Sequence, residues 1–163
     1  MKLGITGHRK LTNPQCWVWV EGELTQLVTE FSKQTDQLTA ISSLAIGADQ
    51  LFANLVLRHG GNLHAVIPCS DYRIDFRGED QVEYDRILKQ ARKVEILPDG
   101  PTRDESYLGA GKRVVDLSDV LIAVWDGKKA AGLGGTGDVV DYAKQISKRI
   151  MHLNPYEQSI QTI

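Results

Sequence analysis

Apolar residues along this chain fall into two alternating patterns. Short runs that are apolar at nearly every position occur at residues 3–6, 38–44, 63–67, 94–97, 120–125 and 149–153. Between them, apolar residues recur at three- and four-residue spacings, as at Trp17, Val20, Leu24, Leu27, Val28 and Phe31. The first pattern predicts strands buried on both faces, and the second predicts helices with one apolar face. Helices are expected from Pro14 onward and over 48–57, 82–92, 107–117 and 139–146. Asn13 before Pro14 is a start signal, because the asparagine caps while the proline takes the first turn, where its missing N–H costs nothing. Gly60-Gly61 should stop the second helix. The segment from Tyr156 onward has no clear period and is assigned no element.

Strands that alternate with helices and are apolar throughout imply α/β architecture, a Rossmann-like three-layer α/β/α sandwich with a mainly parallel sheet. Right-handed crossovers bring every strand-to-helix loop to one edge of the sheet, where ligands bind in such folds. Five segments meet that condition: 6–10, 42–49, 68–79, 98–106 and 126–138.

Composition narrows the picture. The 163 residues are 42% hydrophobic and 25% charged, which fits one unit at ~150 residues per domain and leaves disordered and fibrous classes aside. Cys16 and Cys69 are too few for a disulfide scaffold or a four-cysteine zinc site, and His59, His64 and His152 form no metal-ligand spacing. Neither a metal nor a cofactor is expected. The polar run Gly7-His8-Arg9-Lys10 comes too early for a secretion signal, and no apolar stretch is long enough to span a bilayer. A reduced, cytoplasmic protein without a membrane partner is expected. Lys and Arg number 19 against 21 Asp and Glu, a net charge of -2. That balance argues against coating nucleic acid, so nucleic acid is not an expected partner.

Of the 15 glycines, the informative ones sit at three strand exits: Gly7, Gly47 and the group from Gly132 to Gly137. Gly132-Leu133-Gly134-Gly135-Thr136-Gly137-Asp138 joins the most apolar strand to a helix. Bare glycine backbone and the first free N–H groups of a helix suit a phosphate, to which Thr136 adds a hydroxyl. The alternative is a tight connection with Asp138 as the helix cap. Neither a G-x-G-x-x-G dinucleotide motif nor a G-x-x-x-x-G-K-[ST] loop is present.

At the first strand's exit, Thr6-Gly7 offers backbone contacts, His8 a donor and Arg9 a fork for phosphate or carboxylate; a solvated basic loop is the alternative. Gly47 and Asp49 mark a second exit. Asp49 either complements the helix dipole or binds a ribose hydroxyl. The long charged segment 68–79 reads as a lid, with Arg73 or Arg77 clamping phosphate and Tyr72 or Phe76 stacking on a base, or as a solvated loop with internal ion pairs. Arg113 belongs to the surface or faces the ligand.

Gly4-Ile5-Thr6-Gly7-His8-Arg9, Ser42-Ser43-Leu44-Ala45-Ile46-Gly47-Ala48-Asp49, the run from Ser118 to Gly127 and Gly134-Gly135-Thr136-Gly137 together resemble the SLOG superfamily. This Rossmann-like group includes the Lonely-Guy type phosphoribohydrolases and the DNA-processing protein A core. The resemblance runs along nearly the whole chain and implies a nucleotide-derived ligand over the strand ends, commonly in a homodimer. The phosphoribohydrolase motif G-G-x-G-T-x-x-E places its glycines on Gly134, Gly135 and Gly137, its threonine on Asp138 and its glutamate on Asp141. The carboxylate is one methylene shorter, the threonine is replaced, and the enzymes' Arg-Lys pair is out of register with Lys112-Arg113. In the DNA-processing relatives' S-G-x-A-x-G-x-D, Ser43 stands where the first glycine falls. The expectation is therefore a nucleotide-binding or sensing domain over residues 1–163, with a small nucleotide-type ligand. The alternative is hydrolysis of an N-glycosidic bond. There Asp141 or Asp138 would stabilise an oxocarbenium-like transition state, and Arg9 or Arg113 would hold the phosphate.

Overall fold

The structure, a computed structural model, describes residues 1–130 and 132–163; Ala131, within the expected 126–138 loop, lies outside them. The elements are β1 (Lys2–Gly7), α1 (Pro14–Ser32), β2 (Thr39–Ser42), α2 (Ala48–Arg58), β3 (Asn62–Ile67), a short 3-10 turn (Tyr72–Asp75), α3 (Glu79–Leu88), β4 (Lys93–Ile96), α4 (Arg103–Leu117), β5 (Val120–Val124), α5 (Thr136–Gln145), β6 (Ile150–Asn154) and β7 (Ser159–Thr162). One seven-stranded sheet runs in the order β4-β3-β2-β1-β5-β6-β7. Every pairing is parallel except β6 with β7. This is the expected Rossmann-like α/β fold.

Alternate strand residues feed two cores, which is why the strands are apolar throughout. Leu3, Ile5, Val120, Ile122 and Val124 pack with Val20, Leu24, Val28, Phe52, Tyr84 and Ile87 of α1 to α3. Ile41, Val66, Leu121, Ala123 and Ile150 pack on the other face with Ala110, Val114, Val139 and Val140 of α4 and α5. The capping of α1 is as the sequence predicts: the Asn13 side chain accepts from the Gln15 N–H, and Pro14 occupies the first turn.

Several boundaries differ: β2 is shorter than expected, α5 starts at Thr136 rather than Val139, and three further differences have a local cause. Helix α4 begins at Arg103 rather than Tyr107, because Thr102 caps it by accepting from the Glu105 N–H while its hydroxyl bonds the Glu105 carboxylate. The T-x-x-E spacing is that of a capping box, here with the carboxylate bonded to the Thr102 hydroxyl. Helix α3 runs from Glu79 to Leu88 rather than 82–92, since the Arg92 N–H is drawn to Leu63 O as β4 begins to pair. The segment after Tyr156 supplies β7, which returns antiparallel to β6 through a turn in which the Asn154 side chain accepts from Tyr156 and Glu157 N–H groups.

β1 and β5 are neighbours, paired from Leu3 with Val120 to Gly7 with Val124. The chain leaves β1 toward β2 and leaves β5 toward β6, in opposite directions along the sheet, so their carboxyl ends form the topological switch point. Among the described residues no helix is long and apolar enough to cross a membrane.

Ile122 is fully buried at the centre of this sheet. Ile122→Ala should lower unfolding free energy by about 2–5 kcal/mol in equilibrium urea denaturation. A loss below half a kcal/mol would contradict a core built around β5.

Candidate functional site

A cavity of about 750 Å³ opens at the switch point. That is within the range of sites that enclose a small organic ligand. Its floor is the end of β1, Ile5 to Arg9, and its walls come from the exits of β2 and β5, the glycine loop with the start of α5, and one face of α4.

Thr6, Gly7, His8 and Arg9 all line it. Gly7 has to be bare, because a Cβ there would sit 2.5 Å from the Ala48 Cβ and 2.9 Å from that of Val124. His8 turns toward β5, its Nε2 accepting from the Asp126 N–H at 3.2 Å. Arg9 is exposed, takes part in none of the ion pairs among the described residues, and lies 5.5 Å from the centre of the Tyr107 ring.

At the β2 exit the backbone is locked. Leu44, fully buried, holds φ 58° with its N–H bonded to Ser42 Oγ and its carbonyl to the Gln50 side chain. A bulky side chain in the left-handed region is an uncommon strain, kept here by these bonds. Gly47, at φ 91°, lies against the chain rather than the cavity: a Cβ would meet His8 O at 2.5 Å. It lets the β1 and β2 exits touch, and the Ala48 N–H donates to His8 O. Asp49 lines the cavity and is only 6% exposed. Burial pushes its carboxyl up to about 7, against the opposing pull of the Ala45 and Ser43 backbone, Arg9 and the Ser42 hydroxyl.

The glycine loop, Gly132 to Gly137, lines the opposite wall. Its glycines also serve the chain's own packing. A Cβ on Gly134 would come within 2.9 Å of Asp104 O, and one on Gly137 within 2.8 Å of the Ala130 N. Gly135, not Asp138, is the N-cap of α5, so Thr136 and Gly137 form its first turn. The Asp138 carboxylate accepts from the Gly134 N–H at 2.9 Å, so the expected cap role becomes a brace on the loop. The tight connection of the sequence reading is present, with Gly135 rather than Asp138 as the cap.

The structure does not bring the remaining candidates to the cavity. Asp141 is exposed on α5, outside the lining. Arg113 lies on another face of α4, with Nε 2.8 Å from Glu95 Oε1, and Glu95 also meets His64. Arg73 makes a two-pronged bond to Asp85, and Arg77 is exposed away from the lining. The 68–79 segment is therefore neither a free lid nor a loop paired within itself: its Asp71, Arg73 and Asp75 pair with α3 and α4. Arg103 reaches across to Asp71 and Asp75, and Tyr107 Oη bonds Asp75 as well. Tyr72 is buried against Phe76 and Tyr84 and presents only part of its ring to the cavity.

Residues that the sequence reading passed over complete the site. Asp104, Tyr107, Gly111 and Val114 of α4 share a three- and four-residue spacing, which was the available signal. Asp126, Lys128 and Lys129 come from the β5 exit. Lys128 is placed by its backbone, whose N–H donates to Asp126 Oδ1 and whose carbonyl accepts from Trp125 Nε1.

Because Asp49 takes up its proton more readily folded than unfolded, its ionisation opposes folding as pH rises from about 4 toward 7. Asp49→Asn removes that cost. Its melting temperature should exceed that of the parent at pH 8 and converge with it near pH 4, the full difference being no more than roughly 4 kcal/mol. Parallel melting curves across that range would refute a buried, ionising Asp49.

No protein-family model matches this chain, and no curated protein matches it. Solved structures do. DNA processing protein A from Streptococcus pneumoniae is 18% identical with a TM-score of 0.64 over 94% of this chain and 50% of its own. DNA processing protein A from Helicobacter pylori, described for its single-stranded DNA binding mode, is 21% identical with a TM-score of 0.65 over 94% of this chain and 65% of its own. The molybdenum cofactor binding protein from Rippkaea orientalis is 17% identical with a TM-score of 0.58 over 94% and 76%. The chain thus spans half the length of the first and 65% of the second. The expectation that nucleic acid is not a partner is corrected: its ground was net charge, yet a protein of this fold binds single-stranded DNA. Net charge averages over the whole surface and says little about one cavity. At these identities the likeness is one of architecture, and the resemblance to SLOG-type proteins stands as a shared Rossmann-like fold.

Proposed function

We propose that the switch-point cavity binds a nucleotide or a nucleotide-derived phosphate ligand, free or as part of a single strand. The observation that carries this reading is the convergence of anion-binding groups on one cavity of ligand size. Arg9 stands there without an ion-pair partner among the described residues, Lys128 and Lys129 rim the β5 side, and the first turn of α5 presents its N-terminal end. A helix N-terminus and a guanidinium fork both suit phosphate. Tyr107, beneath Arg9, and the apolar Val114 and Trp125 supply surface for a base. The likeness in fold to proteins that bind single-stranded DNA or molybdenum cofactor supports a ligand at this edge of the sheet.

Binding without turnover is the better-supported reading. Cleaving an N-glycosidic bond needs a carboxylate at the sugar. The carboxylates of the phosphoribohydrolase motif do not supply it, since Asp138 is committed to the Gly134 N–H and Asp141 is outside the cavity lining; Asp49, Asp104 and Asp126, which do line the cavity, stand outside that motif.

The test is a panel of nucleoside 5′-monophosphates, ADP-ribose and a short oligothymidylate, followed by melting temperature and by release of free base. A ligand at 100 times its dissociation constant should stabilise the protein by about 2.7 kcal/mol and be recovered intact. Arg9→Ala should weaken that ligand by roughly 10- to 100-fold in calorimetry, the worth of a charge-assisted hydrogen bond. Release of base would favour the hydrolase. No shift with any probe at millimolar concentration would remove the nucleotide reading.

A further inference from the structure

One acidic group of the cavity is placed where a binding anion has to disturb it. Asp49 is 6% exposed at the junction of the β2 exit and α2, and its carboxyl faces the same space as Arg9. Arg9 is the cation that favours its ionised form. The other groups around the cavity do not substitute for Arg9. Tyr72, from the turn after β3, is a buried phenol whose own ionisation is driven up by its surroundings. Tyr107 and Asp104 stand on the α4 wall, and Lys128 and Lys129 stand with Asp126 and His8 on the β5 side. His8 and Asp126 are already engaged with each other.

We propose that Asp49 is a ligand-linked proton site: an anion bound in the cavity that Arg9 shares with the nearly buried Asp49 offsets the Arg9 charge and disfavours the Asp49 carboxylate, so the cavity takes up a proton as it takes up its ligand. The proposal rests on the nucleotide reading above and adds a mechanism to it. Two effects act in one direction. The anion withdraws the Arg9 charge from Asp49, and it brings a negative charge of its own while excluding water. Both disfavour the carboxylate. In the free protein Asp49 titrates at about 7, so near neutral pH binding acts on a group already close to half protonated. The sign follows from linkage. Below about pH 6 Asp49 is protonated with or without ligand and affinity is at its ceiling. Above 7 each binding event needs a proton from solvent, and affinity falls by up to tenfold per pH unit until the titration point of the complex is passed.

The experiment uses ADP-ribose and a short oligothymidylate, whose charges are constant between pH 6 and 8.5. Dissociation constants are measured across that range, together with the number of protons taken up at pH 8 from calorimetry in two buffers of different ionisation enthalpy. The proposal expects at least a tenfold weakening from pH 6 to 8.5 and net proton uptake for the parent. It also expects a flattened profile with no uptake for Asp49→Asn, whose amide mimics the protonated acid. A pH-independent dissociation constant, or a dependence that Asp49→Asn retains, overturns the proposal and leaves nucleotide binding intact. If Asp49→Asn does not fold, carboxyl carbon-13 NMR of the parent decides: an Asp49 titration that moves to higher pH when ADP-ribose binds supports the proposal, and one that does not move rejects it. Failure of both probes to bind at pH 6 removes the nucleotide reading and this proposal together.

Discussion

Two strands far apart in the sequence, β1 and β5, pair in parallel from Leu3 with Val120 to Gly7 with Val124, and the cavity exists because of that pairing. Each strand is followed by a loop that turns away from the other, so a cleft opens between the loops at the point where the chain reverses its direction of winding. The pairing is held on both faces. Ile122 and Val124 sit in one core, and Leu121 and Ala123 sit in the other, which leaves the two strand ends little freedom to shift. The His8 N–H bonded to Val124 O extends the ladder one residue into the loop and fixes where Arg9 begins its excursion.

Close approach is the second constraint. Gly7, Gly47, Gly134 and Gly137 each lie where a Cβ would collide with another part of the chain at 2.9 Å or less. A glycine cluster at a strand exit therefore has two compatible causes. The backbone can be bare for a ligand and bare for its own neighbours, and in this molecule the loop over α5 packs against Asp104 and Ala130 while still lining the cavity.

The architecture was legible in the sequence because burial on both faces writes itself as unbroken apolar runs, as in Val120–Val124. β7 was not legible: Ser159–Thr162 is a mostly exposed edge strand with one apolar residue, and it is placed by its neighbour β6 rather than by its own pattern. The β1 exit was legible as part of the cavity lining because a short polar sequence directly after a buried strand comes out at the sheet edge. Arg73 and Arg113 were not, since a charged side chain's partner depends on folding: Asp85 and Glu95 lie 12 and 18 positions away in sequence. Asp141 was misleading because a motif aligned by spacing does not specify the helix face once the helix starts at Thr136.

Arg103 ties the segment after β3 to α4 through Asp71 and Asp75, with Tyr107 joined to the same cluster. Its consequence is kinetic and entropic. The residues that form this side of the mouth are held when the chain folds, so a ligand bound as proposed would be spared the ordering term that weakens binding to a mobile loop. A wall assembled in advance also removes a conformational gate from the approach, leaving the encounter rate to diffusion and to the field of the cavity's own charges.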